Sequence, residues 1–364
     1  MKQKSKKIVA VHLLNDFSGS PLVFSQALEG LQQAGYEVVL HTSYGRKGFL
    51  SGLKLKLVHF PYRFFSNTLL RIIAFFSSQF ILFFQLLRYR NEDVTIYINT
   101  LLPFGAALAG KVMGKKVIYH LHESYIRPAI LKRFLKKVAE LSADTALYVS
   151  HYLQDSEQLR GVHSAVVYNA LPDDFVRQSE SFRYHPVHQD QFMVLMVCSL
   201  KIYKGIYEFA ALAERHPKLH FEMVLNASEV EIAAFFSEEN IPSNLLLHST
   251  QTDMHPFYQR ASLVVNLTNP SLCIETFGMT LLEAMCYGIP VIAPPVGGPA
   301  EIITTGKNGF MVDVRKELEL DRTIETLSCH PEQCGALSIQ AKKTAMRFRN
   351  VALRQQVLDA IMRD

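Results

Sequence analysis

The sequence predicts an α/β protein built from two doubly wound domains. Apolar runs of strand length alternate with segments of helical periodicity along most of the chain, which is the order expected of parallel sheets covered by helices. This pattern occurs twice, before and after a polar, proline-containing stretch, and 364 residues are enough for two domains. With 49% hydrophobic and 20% charged residues, the composition is that of a globular protein and excludes a disordered or fibrous chain.

The first half opens with a predicted β-α-β unit. The run Ile8–Leu14 predicts a buried first strand; the four lysines before it imitate a signal peptide, but the run is short and no small-residue cleavage site follows. A turn at Asp16–Pro21 and apolar residues at helical spacing up to Gly35 then lead to a second strand, Glu37–Thr42. Further strands are predicted at Val94–Asn99, Val117–Leu121 and Thr145–Val149.

The second half repeats the alternation and sets the domain boundaries. Its predicted strands are Phe192–Cys198, Leu219–Leu225, Leu245–His248, Leu263–Leu267 and Val291–Ala293. We therefore assign residues 1–171 to the first domain, the polar stretch 172–191 to a linker and 192–344 to the second domain. A C-terminal helix at about 345–364 could pack back on the first domain.

The two halves differ in charge. Residues 1–170 carry 21 Lys and Arg against 10 Asp and Glu, a net +11, whereas the remaining 17 and 23 give −6. An anionic partner is therefore expected at the first domain only. Because the basic residues lie beside a very apolar segment and not in a nucleic-acid motif, anionic lipid is favoured over nucleic acid.

The most apolar segment, Ile72–Leu87, lies between Arg71 and Arg88. At about 1.5 Å per residue a helix of this length reaches about 24 Å, which predicts that it does not cross the roughly 30 Å hydrocarbon core. Two interpretations remain open. The helix is either buried in the first domain or lies partly in the membrane interface with its arginines at the level of the headgroups.

The five cysteines are an odd number, widely scattered and without a Cys-x-x-Cys pair. They predict reduced thiols in a cytosolic compartment, and neither a disulfide framework nor a zinc site.

The most informative motif runs from Glu275 to Ala293. Gly288 and Pro290 mark a helix end, so the helix is predicted from about Gly278 to Tyr287. Its N-terminus offers unpaired N–H groups and the positive end of the helix dipole, which form a phosphate site. A carboxylate lies on each side of that site, Glu275 before the helix and Glu283 within it, and both can accept hydrogen bonds from hydroxyls. A diphosphate between two polyols describes a nucleotide sugar.

This motif resembles the signature of the fourth family of glycosyltransferases, also called group 1, which are retaining enzymes of the GT-B fold. The similarity lies in Glu275-x7-Glu283 within E-x-F-G-x-x-x-x-E-A-x-x-x-G-x-P-V and continues through Gly297-Gly298 to Gly306–Phe310. The resemblance implies two Rossmann-like domains facing a central cleft. It further implies that Glu275 binds hydroxyls of the transferred sugar and Glu283 the nucleotide ribose, with donor contacts from Phe277, Gly278, Met279 and Thr280.

The segment Ser199–Gly205 follows the first strand of the second domain and resembles the family's R-L-x-x-x-K-G, whose Arg and Lys hold the donor diphosphate. Lys204 matches, whereas Ser199 stands where arginine is usual. Lys201 either compensates for the missing arginine or is an exposed lysine at the strand end.

In the first domain, Ser18-Gly19 resembles the family's Gly-Gly loop, which faces the diphosphate and the acceptor. Gly19 allows close backbone approach to a ligand, and Ser18 is expected either to avoid positive φ or to donate a hydrogen bond from its hydroxyl. Asp16 is either a polar group on the acceptor side or a helix N-cap.

His120 and His122 lie at a strand end and point to the same face. Because no Asp-x-Asp and no third clustered ligand accompany them, no metal site is expected. His122-Glu123 resembles the family's His-Asp/Glu pair, whose histidine reaches the donor sugar near the anomeric centre.

The resemblance implies a retaining, metal-independent hexosyltransferase with no cofactor besides its nucleotide-sugar donor. Its acceptor would be a glycan or lipid-linked saccharide in cell-surface polysaccharide or glycolipid synthesis. Glu275, His122 and Lys204 are the expected catalytic residues, and the expected location is cytoplasmic, on the inner membrane face if lipid is bound. The alternatives are a sugar-nucleotide epimerase of the same fold and a catalytically idle, membrane-associated scaffold.

Overall fold

The computed structural model of the chain describes residues 7–45, 47–188 and 191–363. It divides into two compact units. The first comprises the residues up to Ala170 together with those from Asn350 onward, and the second comprises Leu171–Arg349. Each unit is a parallel sheet covered by helices, so the prediction of two doubly wound α/β domains is confirmed.

The described part of the first unit contains a seven-stranded parallel sheet in the order β3-β2-β1-β4-β5-β6-β7. Its strands are β1 Lys7–Val11, β2 Glu37–Ser43, β3 Lys56–Phe60, β4 Val94–Asn99, β5 Lys116–Leu121, β6 Thr145–Tyr148 and β7 His163–Val166. The central strand β1 pairs through Val9 with Val39 and Ile96. Residues Ile8–Val11 are buried, as expected of a strand covered on both faces.

Helices connect these strands and cover the sheet. They are α1 Gly19–Gln33, α2 Thr68–Leu86, α3 Phe104–Val112, α4 Ala129–Ser142 and α5 His151–Glu157. Helices α2, α3 and α4 pack side by side.

The second unit holds a six-stranded parallel sheet in the order β10-β9-β8-β11-β12-β13 within the described residues. Its strands are β8 Met193–Ser199, β9 His220–Asn226, β10 Leu245–His248, β11 Leu263–Val265, β12 Val291–Ala293 and β13 Gly309–Met311. The order reverses beside β8 here and beside β1 in the first unit. In such sheets, ligands bind outside the carboxyl ends of the strands at the reversal point.

The first helix of the second unit lies in the stretch that was predicted to be a linker. The helices of this unit are α6 Asp173–Glu180, α7 Ile206–Arg215, α8 Glu229–Phe235, α9 His255–Arg260, α10 Met279–Cys286, α11 Pro299–Ile302, α12 Glu317–Cys329 and α13 Pro331–Ala345. The stretch 172–191 is thus part of the second unit and contains α6, although Gln189 and Asp190 lie outside the described residues.

The last helix, α14 Asn350–Met362, belongs to the first unit and packs on α1. Arg354 Nη2 lies 3.2 Å from Glu29 Oε2 across this contact. The helix therefore begins five residues later than the sequence indicates.

Three strands, β3, β7 and β13, were not predicted from the sequence. Each lies at a sheet edge and is short or partly exposed, so none produces a continuous apolar run. The run Ile8–Val11 lies in strand β1, as predicted, while Met1–Lys6, with three of the four lysines, lie outside the described residues.

Helix α2 is longer than the apolar segment Ile72–Leu87 from which it was predicted. With the 3-10 turn that follows it, it extends over 22 residues, Thr68–Tyr89, and by length and composition alone it could cross a membrane. The prediction that it is too short was therefore wrong, because the helix continues past the apolar run at both ends. One side of α2 is nevertheless packed against the unit, with Leu82 and Leu86 fully buried.

Candidate functional site

The core of the candidate site is an ion pair at the carboxyl edge of the second sheet. Lys204 ends a short 3-10 turn after β8, and Glu275 lies in the loop between β11 and α10. Lys204 Nζ lies 2.5 Å from Glu275 Oε2, and both side chains are about one-fifth exposed. Burial acts to lower the pKa of Lys204, but the charge and the hydrogen bond of Glu275, with smaller contributions from Tyr203 and Cys198, together raise it. Burial likewise acts to raise the pKa of Glu275, whereas the charge and the hydrogen bond of Lys204 act to lower it, and the pKa is lowered overall. Both groups are therefore charged at neutral pH.

Two further donors fix the Glu275 carboxylate. The Asn266 side chain and the Phe277 backbone N–H both bond to it and lower its pKa further. Asn266 is itself oriented, since its Oδ1 accepts hydrogen bonds from the N–H and hydroxyl of Thr268 at 3.0 and 2.6 Å. Asn266 was not predicted from the sequence. Its signal was a polar residue directly after β11, at the sheet edge where ligands bind.

The N-terminus of α10 follows Glu275 directly. Gly278, at φ +105°, is its N-cap, and the first N–H groups to turn back, those of Leu281 and Leu282, donate to the Gly278 carbonyl. The N–H groups of Met279 and Thr280 precede them and point out of the helix end, where an anion can accept them. The Phe277 side chain is buried against Phe348, at 5.7 Å between ring centroids, so Phe277 can act on the site only through its backbone.

Glu283 lies one turn further along α10 and is held by a residue that the sequence did not indicate. Tyr258 of α9 is fully buried and donates its hydroxyl to Glu283 Oε2 at 2.6 Å. Burial raises the pKa of Glu283 to about 7, although the Tyr258 hydrogen bond acts in the opposite direction. Nothing in the sequence connects two residues 25 positions apart on different helices.

The glycine pair of the motif supports the Glu275 loop. The Gly298 N–H donates to the Glu275 carbonyl at 2.9 Å. A Cβ on Gly297 would lie 2.3 Å from the same carbonyl oxygen, so no other residue fits there. Gly297 thereby holds the backbone of Glu275 against α11.

Lys201 and Ser199 do not join the ion pair. Ser199 ends β8, and its carbonyl accepts the Lys201 N–H at 2.7 Å. The exposed Lys201 side chain acts on Glu231, whose pKa is lowered first by hydrogen bonds from Ser228 and then by the Lys201 charge. Compensation for the missing arginine by Lys201 therefore stays a prediction.

In the first unit, Asp16, Ser18 and Gly19 form the turn that starts α1. Asp16 Oδ1 accepts hydrogen bonds from the Ser18 N–H at 3.0 Å and the Ser18 hydroxyl at 2.5 Å. Ser18, at φ −94°, is unstrained and occupies the N-cap position, which answers both expectations for it. The Asp16 carboxylate thus accepts the hydrogen bonds that form this turn, and Asp16 is not the N-cap. Gly19 is exposed at the helix start.

The histidine pair lies at the carboxyl end of β5. The rings of His120 and His122 are 4.5 Å apart, on one face as their spacing predicts. His120 Nδ1 lies 2.8 Å from the Tyr97 hydroxyl. Burial lowers the pKa of both histidines, so both are neutral. Glu123 accepts the Leu101 N–H at 2.9 Å, and burial raises its pKa to about 7.

Within the residues that the structure describes, no three His, Cys, Asp or Glu side chains form a group that could hold a metal ion. The five cysteines are all free thiols.

The candidate site lies in the part of the chain that resembles a known family of proteins. Residues 177–344, which include the Lys204–Glu275 pair and all of α10, match the family model described as glycosyl transferases group 1. The chain carries a group 1 glycosyl transferase domain. The first unit lies outside the matched residues.

Two curated relatives resemble the chain. A putative glycosyltransferase, EpsD, of Bacillus subtilis is 27% identical over 189 residues, which are 50% of this chain and 49% of that protein. A D-inositol 3-phosphate glycosyltransferase of Paenarthrobacter aurescens is 28% identical over 188 residues, 48% of this chain and 44% of that protein. The similarity thus extends over about half the length of these relatives.

The fold is shared over nearly the whole chain. Anabaena Alr3699/HepE, solved in complex with UDP-glucose, superposes with a TM-score of 0.78 at 19% identity, covering 98% of this chain and 99% of that one. The two units therefore have the GT-B fold that the sequence motifs predicted.

Proposed function

We propose that the protein is a glycosyltransferase that moves a hexose-type sugar from a nucleotide-sugar donor to a glycan or lipid-linked acceptor. The observation that carries this proposal is the placement of Lys204, Glu275, the N-terminus of α10 and Glu283 at one edge of the second unit. Cell-surface polysaccharide or glycolipid synthesis is the process we assign to it, in the cytoplasm.

Each part of a nucleotide sugar has a matching group at this edge. The Lys204 ammonium and the N–H groups of Met279 and Thr280 suit the diphosphate, because both offer positive charge to an anion. The Glu275 carboxylate, ionised and fixed by Asn266, suits hydroxyls of the sugar. Glu283 suits the ribose. Since the Anabaena neighbour was solved with UDP-glucose, a UDP-sugar is the first donor to test.

We propose transfer with retention, on the face of the sugar from which the diphosphate leaves. The bond between the anomeric carbon and the β-phosphate oxygen breaks, and the acceptor hydroxyl oxygen bonds to that carbon. The acceptor proton passes to the departing phosphate oxygen, so no enzymic nucleophile is used. Lys204 and the α10 N–H groups stabilise the charge that grows on the diphosphate, and Glu275 positions the sugar.

His122 is proposed to assist at the sugar in the transfer step. As a neutral imidazole it can donate one hydrogen bond from one ring nitrogen and accept one at the other. We propose no metal, because Lys204 and the helix N-terminus supply the positive charge that a cation would otherwise bring to the diphosphate.

A thermal-shift panel of UDP, GDP, ADP and CMP compounds tests the donor site, since a bound nucleotide stabilises the protein by RT ln(1 + [L]/Kd). Stabilisation by one nucleotide class is expected, and stabilisation by none would contradict the proposal. Product analysis then separates the alternatives. Slow release of nucleoside diphosphate supports a transferase, a changed sugar with the nucleotide still attached indicates an epimerase, and binding without turnover in the presence of acceptors indicates an idle scaffold.

A further inference from the structure

The first unit exposes the apolar side of α2. Phe80 is 66% exposed, whereas Phe75, Leu82 and Leu86 on the opposite side are buried. A helix on the surface of a soluble domain ordinarily turns polar side chains outward. Apart from Thr68 and Ser77, the exposed residues of α2 are Leu69, Leu70, Ile72, Ile73, Phe76, Phe80, Ile81 and Phe84.

The apolar surface continues onto the neighbouring helices. Phe76 of α2, Phe104 of α3 and Phe134 of α4 form one aromatic cluster, with ring centroids 5.1 to 6.0 Å apart. An apolar groove of about 720 Å³ lies between α2 and α3. The exposed apolar residues on α3 and α4 are Leu108, Val112, Ile130, Phe134 and Leu141. We call the exposed residues of α2, α3 and α4 together the α2–α4 face, and a patch of this extent marks an interaction site.

The α2–α4 face is cationic as well as apolar. The three helices carry six Lys and Arg against one acidic residue of their own, Glu140, which lies 3.5 Å from Lys137. Lys132 and Lys136 pair with Glu157 of α5, and the net charge stays positive with that carboxylate included. Exposed Arg133 and Lys137 alternate with Ile130 and Phe134 on α4, and exposed Lys111 adjoins Val112. Apolar side chains mixed with cations are the combination that binds an anionic lipid surface.

We propose that the α2–α4 face docks on a bilayer containing anionic lipid, with α2 lying in the plane of the interface. The apolar side chains enter the boundary between headgroups and acyl chains, and the cations contact lipid phosphates. A second copy of the chain fits less well, because a symmetric contact would press two cationic faces together. The inference does not depend on the proposed transferase activity, because the face lies on α2–α4 whereas the donor groups lie in the second unit.

Contacts of α2 within the unit favour lying on the membrane over crossing it. The buried Gln79 side chain accepts the Gly105 N–H at 3.1 Å through its Oε1. A Cβ at Gly105 would lie 2.1 Å from the Gln79 carbonyl, so the backbones of α2 and α3 are in close contact there. Insertion of α2 across a bilayer would break this packing and expose the side that holds Leu82 and Leu86.

The absence of tryptophan from the sequence gives the experiment a site-specific probe. Phe80→Trp places a single indole in the centre of the face, and Leu318→Trp places one at a site of the second unit that is also well exposed. With vesicles containing anionic lipid, we expect the tryptophan fluorescence of Phe80→Trp to shift to the blue and to be quenched by brominated acyl chains. We expect no change in the fluorescence of Leu318→Trp. The response should weaken with neutral vesicles and at high salt.

Replacement of the exposed phenylalanines tests the face as a whole. The change of Phe76, Phe80 and Phe84 to Ser should lower co-sedimentation with anionic vesicles at least about tenfold, while the nucleotide-induced thermal shift stays as in wild type. Some loss of thermal stability is expected, because Phe76 also contacts Phe104 and Phe134. Phe75 is excluded because it is buried. The matched control changes Val230, Leu318 and Ile339, exposed in the second unit, to Ser and should sediment like wild type.

Three outcomes would overturn the proposal. They are no sedimentation of the wild-type protein with anionic vesicles at low salt, undiminished sedimentation of the triple variant, and equal response of both tryptophan probes. Should the triple variant unfold, the Phe80→Trp quenching still decides. A concentration-dependent dimer that the triple variant abolishes, without vesicle binding, would assign the face to a second copy of the chain.

Discussion

Replacement of Glu283 by glutamine should change how the stability of the protein depends on pH. Burial raises the pKa of Glu283 in the folded chain to about 7 from its ordinary value of 4.5. Glutamine has the shape of the protonated acid and cannot ionise. It therefore removes the titration while leaving an oxygen for the Tyr258 hydroxyl.

The sign follows from where the proton is held. Between pH 4.5 and about 7 the folded protein keeps the Glu283 proton and the unfolded chain releases it. The stabilisation is therefore complete below pH 4.5 and is lost as the pH rises through 7. At about 1.4 kcal/mol per pH unit, this interval corresponds to about 3 kcal/mol. Glu283→Gln should match wild type near pH 4.5 and exceed its free energy of unfolding by up to about 3 kcal/mol at pH 8.

Urea unfolding of both proteins at pH 4.5, 6, 7 and 8 measures this difference. The control is Glu325→Gln on α12, an exposed carboxylate whose replacement should leave the wild-type pH profile unchanged. Parallel profiles for wild type and Glu283→Gln would refute the reasoning, because they would mean that Glu283 is ionised in the folded protein. A less stable variant at pH 8 would contradict its sign.

Lys204→Ala should lower kcat for nucleotide release about tenfold to a thousandfold in steady-state kinetics. The control is Lys201→Ala, which changes a nearby lysine outside the ion pair and should have little effect. A larger loss of kcat for Lys201→Ala than for Lys204→Ala would show that Lys201 replaces the missing arginine. Tyr258→Phe should raise the donor KM with kcat nearly unchanged, because it releases Glu283, and the contact proposed between Glu283 and the ribose would exist in ground and transition states alike. An unchanged KM would remove Tyr258 from the site. His122→Ala should lower kcat and leave the thermal shift by free nucleotide intact, and a lost thermal shift would place His122 in nucleotide binding instead. Activity should persist in EDTA, and loss that manganese restores would overturn the metal-free mechanism.

The fold could be predicted because its central strands are buried on both faces. Strands such as β4 and β12 appear in the sequence as short apolar runs, and the structure places both at the predicted residues. The edge strands β3, β7 and β13 could not be found, because most of their residues are only partly buried and their sequences contain no continuous apolar run of strand length. Both ends of α10 were recognisable, the start from Gly278 and the end from Gly288 and Pro290, because these residues act locally on the backbone.

The supporting contacts of the candidate site could not be predicted, because they join distant parts of the chain. Asn266 and Tyr258 meet Glu275 and Glu283 only once strands and helices are packed. The sequence also left α2 as either buried or interfacial. The structure shows one side buried and the other exposed, which no count of apolar residues reveals, because both sides are apolar.

The central claim is that the second unit binds a nucleotide sugar and that the protein cleaves it. The most direct measurement is release of free nucleotide from a panel of UDP-, GDP-, ADP- and CMP-sugars by wild-type protein and by Glu275→Gln. We predict release from one donor class by the wild type and at least about a hundredfold less by the variant, which loses the charged partner of Lys204. No release from any donor by the wild-type protein, or equal release by both proteins, would contradict the account.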